Sequence, residues 1–86
     1  MTEDQEPDPD WVAYRRALGD RVRVLRAQRR LSQERLAHLA GIGVSTLRLI
    51  EGGTPEAPRL RALHRLARVL GVPVHDLLRD APPGSE

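Results

Sequence analysis

The chain has 86 residues, a formal net charge of +2, no Cys and no Phe, and Trp11 and Tyr14 as its only aromatic side chains. A chain of this length makes one domain around one modest core and has no room for a separate catalytic lobe. The missing cysteine excludes disulfide scaffolds, thiolate zinc sites and thiol nucleophiles, and a core of Leu, Val, Ile and Ala suits helix-on-helix packing better than a β-sandwich.

The small net charge conceals a segregated one. Residues 1–10 hold five acids (Glu3, Asp4, Glu6, Asp8 and Asp10) and no base, while residues 11–79 hold all fourteen bases and five acids. The basic part attracts polyanions such as phosphate backbones, although a basic surface that only keeps a small domain soluble gives the same numbers. Every base is Arg; beside so much Ala, Leu, Gly and Pro, this reads as a compositional bias of the coding sequence. No apolar run reaches membrane length and no charged-then-apolar signal opens the chain, so a soluble cytoplasmic protein is expected.

In chain order, residues 1–9 are acidic, contain two prolines and lack an apolar pattern, which predicts a disordered arm. Asp10 is the expected N-cap of the first helix. Its apolar positions, Trp11, Tyr14, Leu18, Val22 and Leu25, form one stripe; the arginines fall mainly off that stripe, and Gly19 is a candidate kink. Ser32 is the expected cap of a second helix, with Leu31 as a staple before it. That helix carries Leu36, Ala37, Leu39 and Ala40 and stops at Gly41. Ile42 and Gly43 connect it to a third helix over 44–51, with Leu47 and Ile50 inward and Gly52-Gly53 at its end. Thr54 to Pro58 is a loop. A fourth helix places Leu60, Leu63, Leu66, Ala67 and Leu70 on its apolar face and ends at Gly71. Pro73 opens a short fifth helix with Val74, Leu77 and Leu78. Residues 80–86 read as a flexible tail, which leaves 10–79 as an all-α, compact five-helix domain whose first helix is extended at its N-terminus.

Two short helices joined by a Gly-containing turn over residues 33–50 form the helix-turn-helix pattern. Ala37 is small enough for the helices to cross closely, Gly41 sits where the chain reverses, and Ile42, Leu47 and Ile50 pin the third helix. The strings Leu18-Gly19, Val22 to Arg26, Leu31-Ser32-Gln33-Glu34, Leu36-Ala37, Ala40-Gly41-Ile42, Leu47 and Ile50-Glu51 carry the likeness further. With Leu63, Leu66-Ala67, Leu70-Gly71-Val72 and Leu77-Leu78, they make residues 18–78 resemble the Cro/phage-repressor type of helix-turn-helix, the XRE family.

The resemblance implies a sequence-reading third helix, double-stranded DNA as the partner and a homodimer on palindromic operators. It places Val44, Ser45, Arg48 and Leu49 toward the bases and Gln33 toward a phosphate; Ser32, Thr46 and Arg59 are read beside Gln33 as further phosphate contacts. It pairs Arg26 with Glu51 in an internal salt bridge that fixes the third helix. A repressor acting by operator occupancy is the expected function.

Departures from the family pattern matter as well. Val44 and Leu49 stand where relatives place polar base-reading groups, which leaves Arg48 as the strong base reader, with guanine its natural target. Gly43 replaces the usual Ser or Thr cap. The loop after the third helix carries acidic Glu56 instead of phosphate-binding groups, for which Arg59 and Arg61 could compensate.

An alternative keeps Val44 and Leu49 as an apolar patch for a protein partner, as in an antitoxin-like protein that captures a target with this face or with its acidic arm; either residue packing inward is the plainer option. The arm itself reads as a solubilising terminus, a capture segment or an autoinhibitory tail. Trp11 and Tyr14 cover either the domain's own last helix or a second subunit. His38, His64 and His75 fall on three different helices without carboxylate or metal spacing, Ser32 and Ser45 have no base near them in sequence, and no Gly-rich phosphate loop follows a strand. The chain is therefore read as a non-enzyme with no metal and no cofactor.

Overall fold

In the computed structural model, residues 8–54 and 57–79 are described. They form five helices and no strand: α1 (Pro9–Gln28), α2 (Gln33–Ala40), α3 (Val44–Gly52), α4 (Leu60–Leu70) and α5 (Val74–Leu77). The expected disordered arm before Asp8, the Glu56 position in the loop and the tail from Asp80 lie outside the described residues.

The first helix starts earlier than its composition suggested. Its N-cap is Asp8, not Asp10; the Asp8 carboxylate accepts from the amides of Asp10 (3.0 Å) and Trp11 (3.4 Å). Pro9 is not a breaker here, because a first-turn residue has no intrahelical partner for an N–H and a fixed φ suits the start. Asp10 then lies in the first turn, where its charge complements the helix dipole. At Gly19, α1 continues without a break in its helical run. A Cβ at Gly19 would stand 2.6 Å from the Glu51 carbonyl oxygen and closer still to that of Ile50, so this glycine serves to let the end of α3 pass against α1.

One core joins all five helices. Leu18 and Val22 of α1 meet Leu36, Ala37 and Ala40 of α2, Leu47 and Ile50 of α3, the buried face of α4 and Leu77 of α5. Leu36, Leu47, Leu66, Leu70 and Leu77 are fully enclosed, which makes Leu the main filler of a core without aromatics. Two positions assigned to apolar stripes face outward instead: Leu60 is 64% exposed at the first residue of α4, and Leu39 is also exposed. Each lies at the edge of its helix's inward arc, where one step of 100° decides between core and water.

Tyr14 stacks on Trp11, with ring centroids 5.6 Å apart, and its hydroxyl donates to the Leu78 carbonyl. The extension of α1 thus fastens the end of α5 within the same chain. Arginines do much of the remaining fastening. Arg15 donates to the Thr54 carbonyl, Arg21 to that of Asp76, Arg23 to that of Glu51 and Arg65 to that of Gly41. Several of these carbonyls stand near helix ends, where backbone acceptors lack intrahelical donors. The planar guanidinium fork satisfies them while keeping its charge. The Arg content therefore has a structural use that composition alone did not reveal.

Candidate nucleic-acid interface

The geometry of α2 and α3 begins with two local devices. Ser32 caps α2, its hydroxyl accepting from the Arg35 amide at 3.0 Å, while Leu31 just before it packs on the core. At the other end Gly41 adopts φ 71°, a left-handed conformation that costs an L side chain and that glycine takes freely. The Ile42 amide closes this turn on the Ala37 carbonyl at 3.0 Å. Arg65 holds the Gly41 carbonyl from α4 at 3.1 Å, so the turn is anchored from outside as well. Val44 then opens α3 without a side-chain cap, since Gly43 has none to offer.

Along α3, Leu47 and Ile50 point into the core, and Ser45, Thr46, Arg48 and Leu49 are exposed. Ser45, Arg48 and Leu49 stand at i, i+3 and i+4, so they share one outward face. Val44 differs from the other three expected base readers: it is half-buried and packs against the core. Leu49, at 52% exposed, contributes the apolar part of the outer face. Ser32 and Gln33 lie at the first turn of α2, and Arg59 lies exposed at the cap position of α4.

Glu51 is the hub of the site. Its side chain is 4% exposed, and its carboxylate accepts from Arg26 Nε at 2.6 Å, Arg26 Nη2 at 3.0 Å and Gln33 Nε2 at 2.9 Å. Arg26 also donates to the Leu31 carbonyl at 2.9 Å. The hydrogen bond to Glu51 holds the Arg26 guanidinium above its ordinary pKa, outweighing the opposing effect of burial, so its charge is secure. Residues of α1, α2 and α3 thus meet at one buried ion pair.

The chain of polar contacts continues outward from there. Gln33 Oε1 accepts from Arg48 Nε at 3.3 Å, and Arg48 Nη2 lies 2.9 Å from Glu34 Oε2. From the sequence alone, Glu34 has no role beyond the start of α2 and Gln33 only a phosphate to meet. Fourteen residues separate Glu34 from Arg48, and no periodicity joins them; the crossing of α2 and α3 does. His38, His64 and His75 remain on α2, α4 and α5. Among the described residues, no three His, Asp or Glu side chains gather as a metal site, and no helix is long and apolar enough to cross a membrane.

Comparison with known proteins matches residues 17–80 to the family model described as a helix-turn-helix domain. The chain belongs to the helix-turn-helix domain family. Within it, a "Cryptic phage CTXphi transcriptional repressor RstR" of Vibrio cholerae is 38% identical over 61 residues, covering 71% of this chain and 54% of that protein. An "Uncharacterized HTH-type transcriptional regulator RghRB" of Bacillus subtilis is 36% identical over 63 residues, covering 73% of this chain and 45% of that protein. This helix-turn-helix chain therefore matches about half the length of these curated relatives.

Proposed function

We propose that the protein binds double-stranded DNA in a sequence-specific manner and acts in the cytoplasm as a transcriptional regulator, repressing by operator occupancy and catalysing nothing. The observation that carries this reading is the outward face of α3, where Ser45, Arg48 and Leu49 lie exposed beside the capped first turn of α2. That arrangement is what a major groove requires: a reading helix with a second helix end set against the backbone. The likeness to RstR, named as a transcriptional repressor, supports the same reading.

The roles follow from the chemistry. Arg48 reads guanine with two parallel donors, Ser45 adds an adaptable hydroxyl, and Leu49 meets a thymine methyl. Val44 takes part only through its exposed edge. Ser32, Gln33, Thr46 and Arg59 face the phosphates, helped by the amides that open α2. Gln33 can serve Glu51 and a phosphate together, because a carboxamide nitrogen has two hydrogens. The protein acts as a homodimer spanning two half-sites about 34–36 Å apart on its partner, the DNA.

The test is selection from a pool of random-sequence duplexes at two salt concentrations. A palindromic motif containing guanine should be enriched, and Arg48→Ala should lose the guanine preference. A pool that binds in a salt-sensitive way with no enriched motif would reduce the function to charge alone.

A further inference from the structure

We propose that Glu34 is a positioning residue for sequence reading: with Gln33, it holds the Arg48 guanidinium by one edge and leaves the other edge to the base. This inference rests on the reading of α3 as the recognition helix. The edge formed by Nε and Nη2 is occupied, with Nε donating to Gln33 Oε1 at 3.3 Å and Nη2 to Glu34 Oε2 at 2.9 Å. A guanidinium has five N–H donors in a fixed fork, so the hydrogens on Nη1 and the second hydrogen on Nη2 remain to form a parallel pair at the tip. Two parallel donors are what the O6 and N7 acceptors of guanine take.

The holder is itself held. Gln33 cannot swing freely, because its Nε2 donates to Glu51 Oε1 at 2.9 Å and Glu51 is clasped by Arg26. Position therefore passes from the buried ion pair through Gln33 to Arg48. Glu34 supplies the charge-assisted half of the grip from an exposed site: its side chain is 68% exposed and that of Arg48 is 52% exposed. An exposed pair of this kind adds little to folding stability, so its consequence falls on Arg48 and not on the fold.

The effect on specificity follows. A guanine contact uses the free tip and leaves the grip in place. A contact with a phosphate off the axis of the tip requires Arg48 to leave Glu34. The grip therefore favours the correct base over indiscriminate backbone binding, which is discrimination by handicapping the wrong complex. It also reduces the side-chain freedom that Arg48 loses on docking.

The test measures binding to the selected operator and to a random duplex, across salt, for wild type, Glu34→Ala, Glu34→Gln and each change combined with Arg48→Ala. Glu34→Ala should narrow the operator-to-random ratio about tenfold. It should also steepen the salt slope on random DNA by about 0.9, as expected when Arg48 is released to neutralise one more phosphate. Glu34→Gln, which keeps an acceptor, should restore part of the ratio. With Arg48→Ala present, neither change at position 34 should alter ratio or slope. An unchanged ratio in Glu34→Ala, or the same shift with and without Arg48, overturns the inference while leaving Arg48 as a base reader. A selection in which Arg48→Ala retains the guanine preference overturns the base-reading assignment first, and this inference with it.

Discussion

Glu51 shows how one buried carboxylate can organise three helices. Its oxygens accept two donors from Arg26 and one from Gln33. Desolvating both charges offsets much of their attraction, so the pair need not add net stability, but removing one partner strands the other. Arg26→Ala should therefore cost about 3 kcal/mol, read as a lower urea midpoint at unchanged m-value. The Arg26 pKa is raised on folding, so its contribution is complete below its unfolded value and fades only as pH climbs through the still higher folded one. The deficit should accordingly keep its full size across neutral and mildly alkaline pH. A loss below about 1 kcal/mol would mean that water reaches Glu51 in solution. Replacing both partners, as Arg26→Met with Glu51→Leu, should recover most of the stability while loosening Gln33 and, through it, Arg48.

At the scale of elements, α1 passes tightly against the end of α3 at Gly19. In an ordinary helix interior, Gly→Ala stabilises by about 1 kcal/mol. Here the added methyl meets backbone carbonyls of Ile50 and Glu51, which cannot rotate aside. Gly19→Ala should therefore destabilise by about 2 kcal/mol, the overpacking cost exceeding the helix gain. A stabilised Gly19→Ala protein in urea melts would show that the two helices stand further apart than the structure has them. The same position marks the limit of sequence reading. Spacing alone located the inward residues Leu18, Val22, Leu47, Ile50, Leu63 and Leu66, because burial on one helix face repeats every 3.6 residues. Glycine at position 19 carries no such signal, since a kink and a close approach use the same residue. Likewise Pro9 reads as part of the acidic arm until the Asp8 cap is seen, and Leu60 looks like core until its turn of α4 is placed. The exposed face of α3 was legible as a stretch of sequence. The grip on Arg48 was not, because it depends on the angle between α2 and α3.

For the whole molecule, Tyr14 and Arg21 of α1 close the fold onto its far end: Tyr14 donates to the carbonyl of Leu78 after α5, and Arg21 to that of Asp76. Trp11 stacks on Tyr14 at that end. Tyr14→Phe keeps the ring and removes the donor, so it should cost about 1 kcal/mol and lower Tm by roughly 4–8 °C for a domain of this size. An unchanged Tm would indicate that water replaces the hydroxyl without loss. The basic surplus of residues 11–79 acts at this scale too, as a field that draws any polyanion toward the molecule before particular contacts form.

The contact between Arg48 and Glu34 bears finally on time as well as affinity. A regulator meets wrong sites far more often than its operator, so the time it spends bound to them counts against its occupancy of the operator. Under the proposed function, an Arg48 that stays gripped would add no anchor to those encounters, so the protein would leave them sooner. Dissociation from random duplex should then be faster for wild type than for Glu34→Ala, while dissociation from the operator should be slower. On this reading the grip frees the protein for its operator by keeping encounters with wrong sites brief.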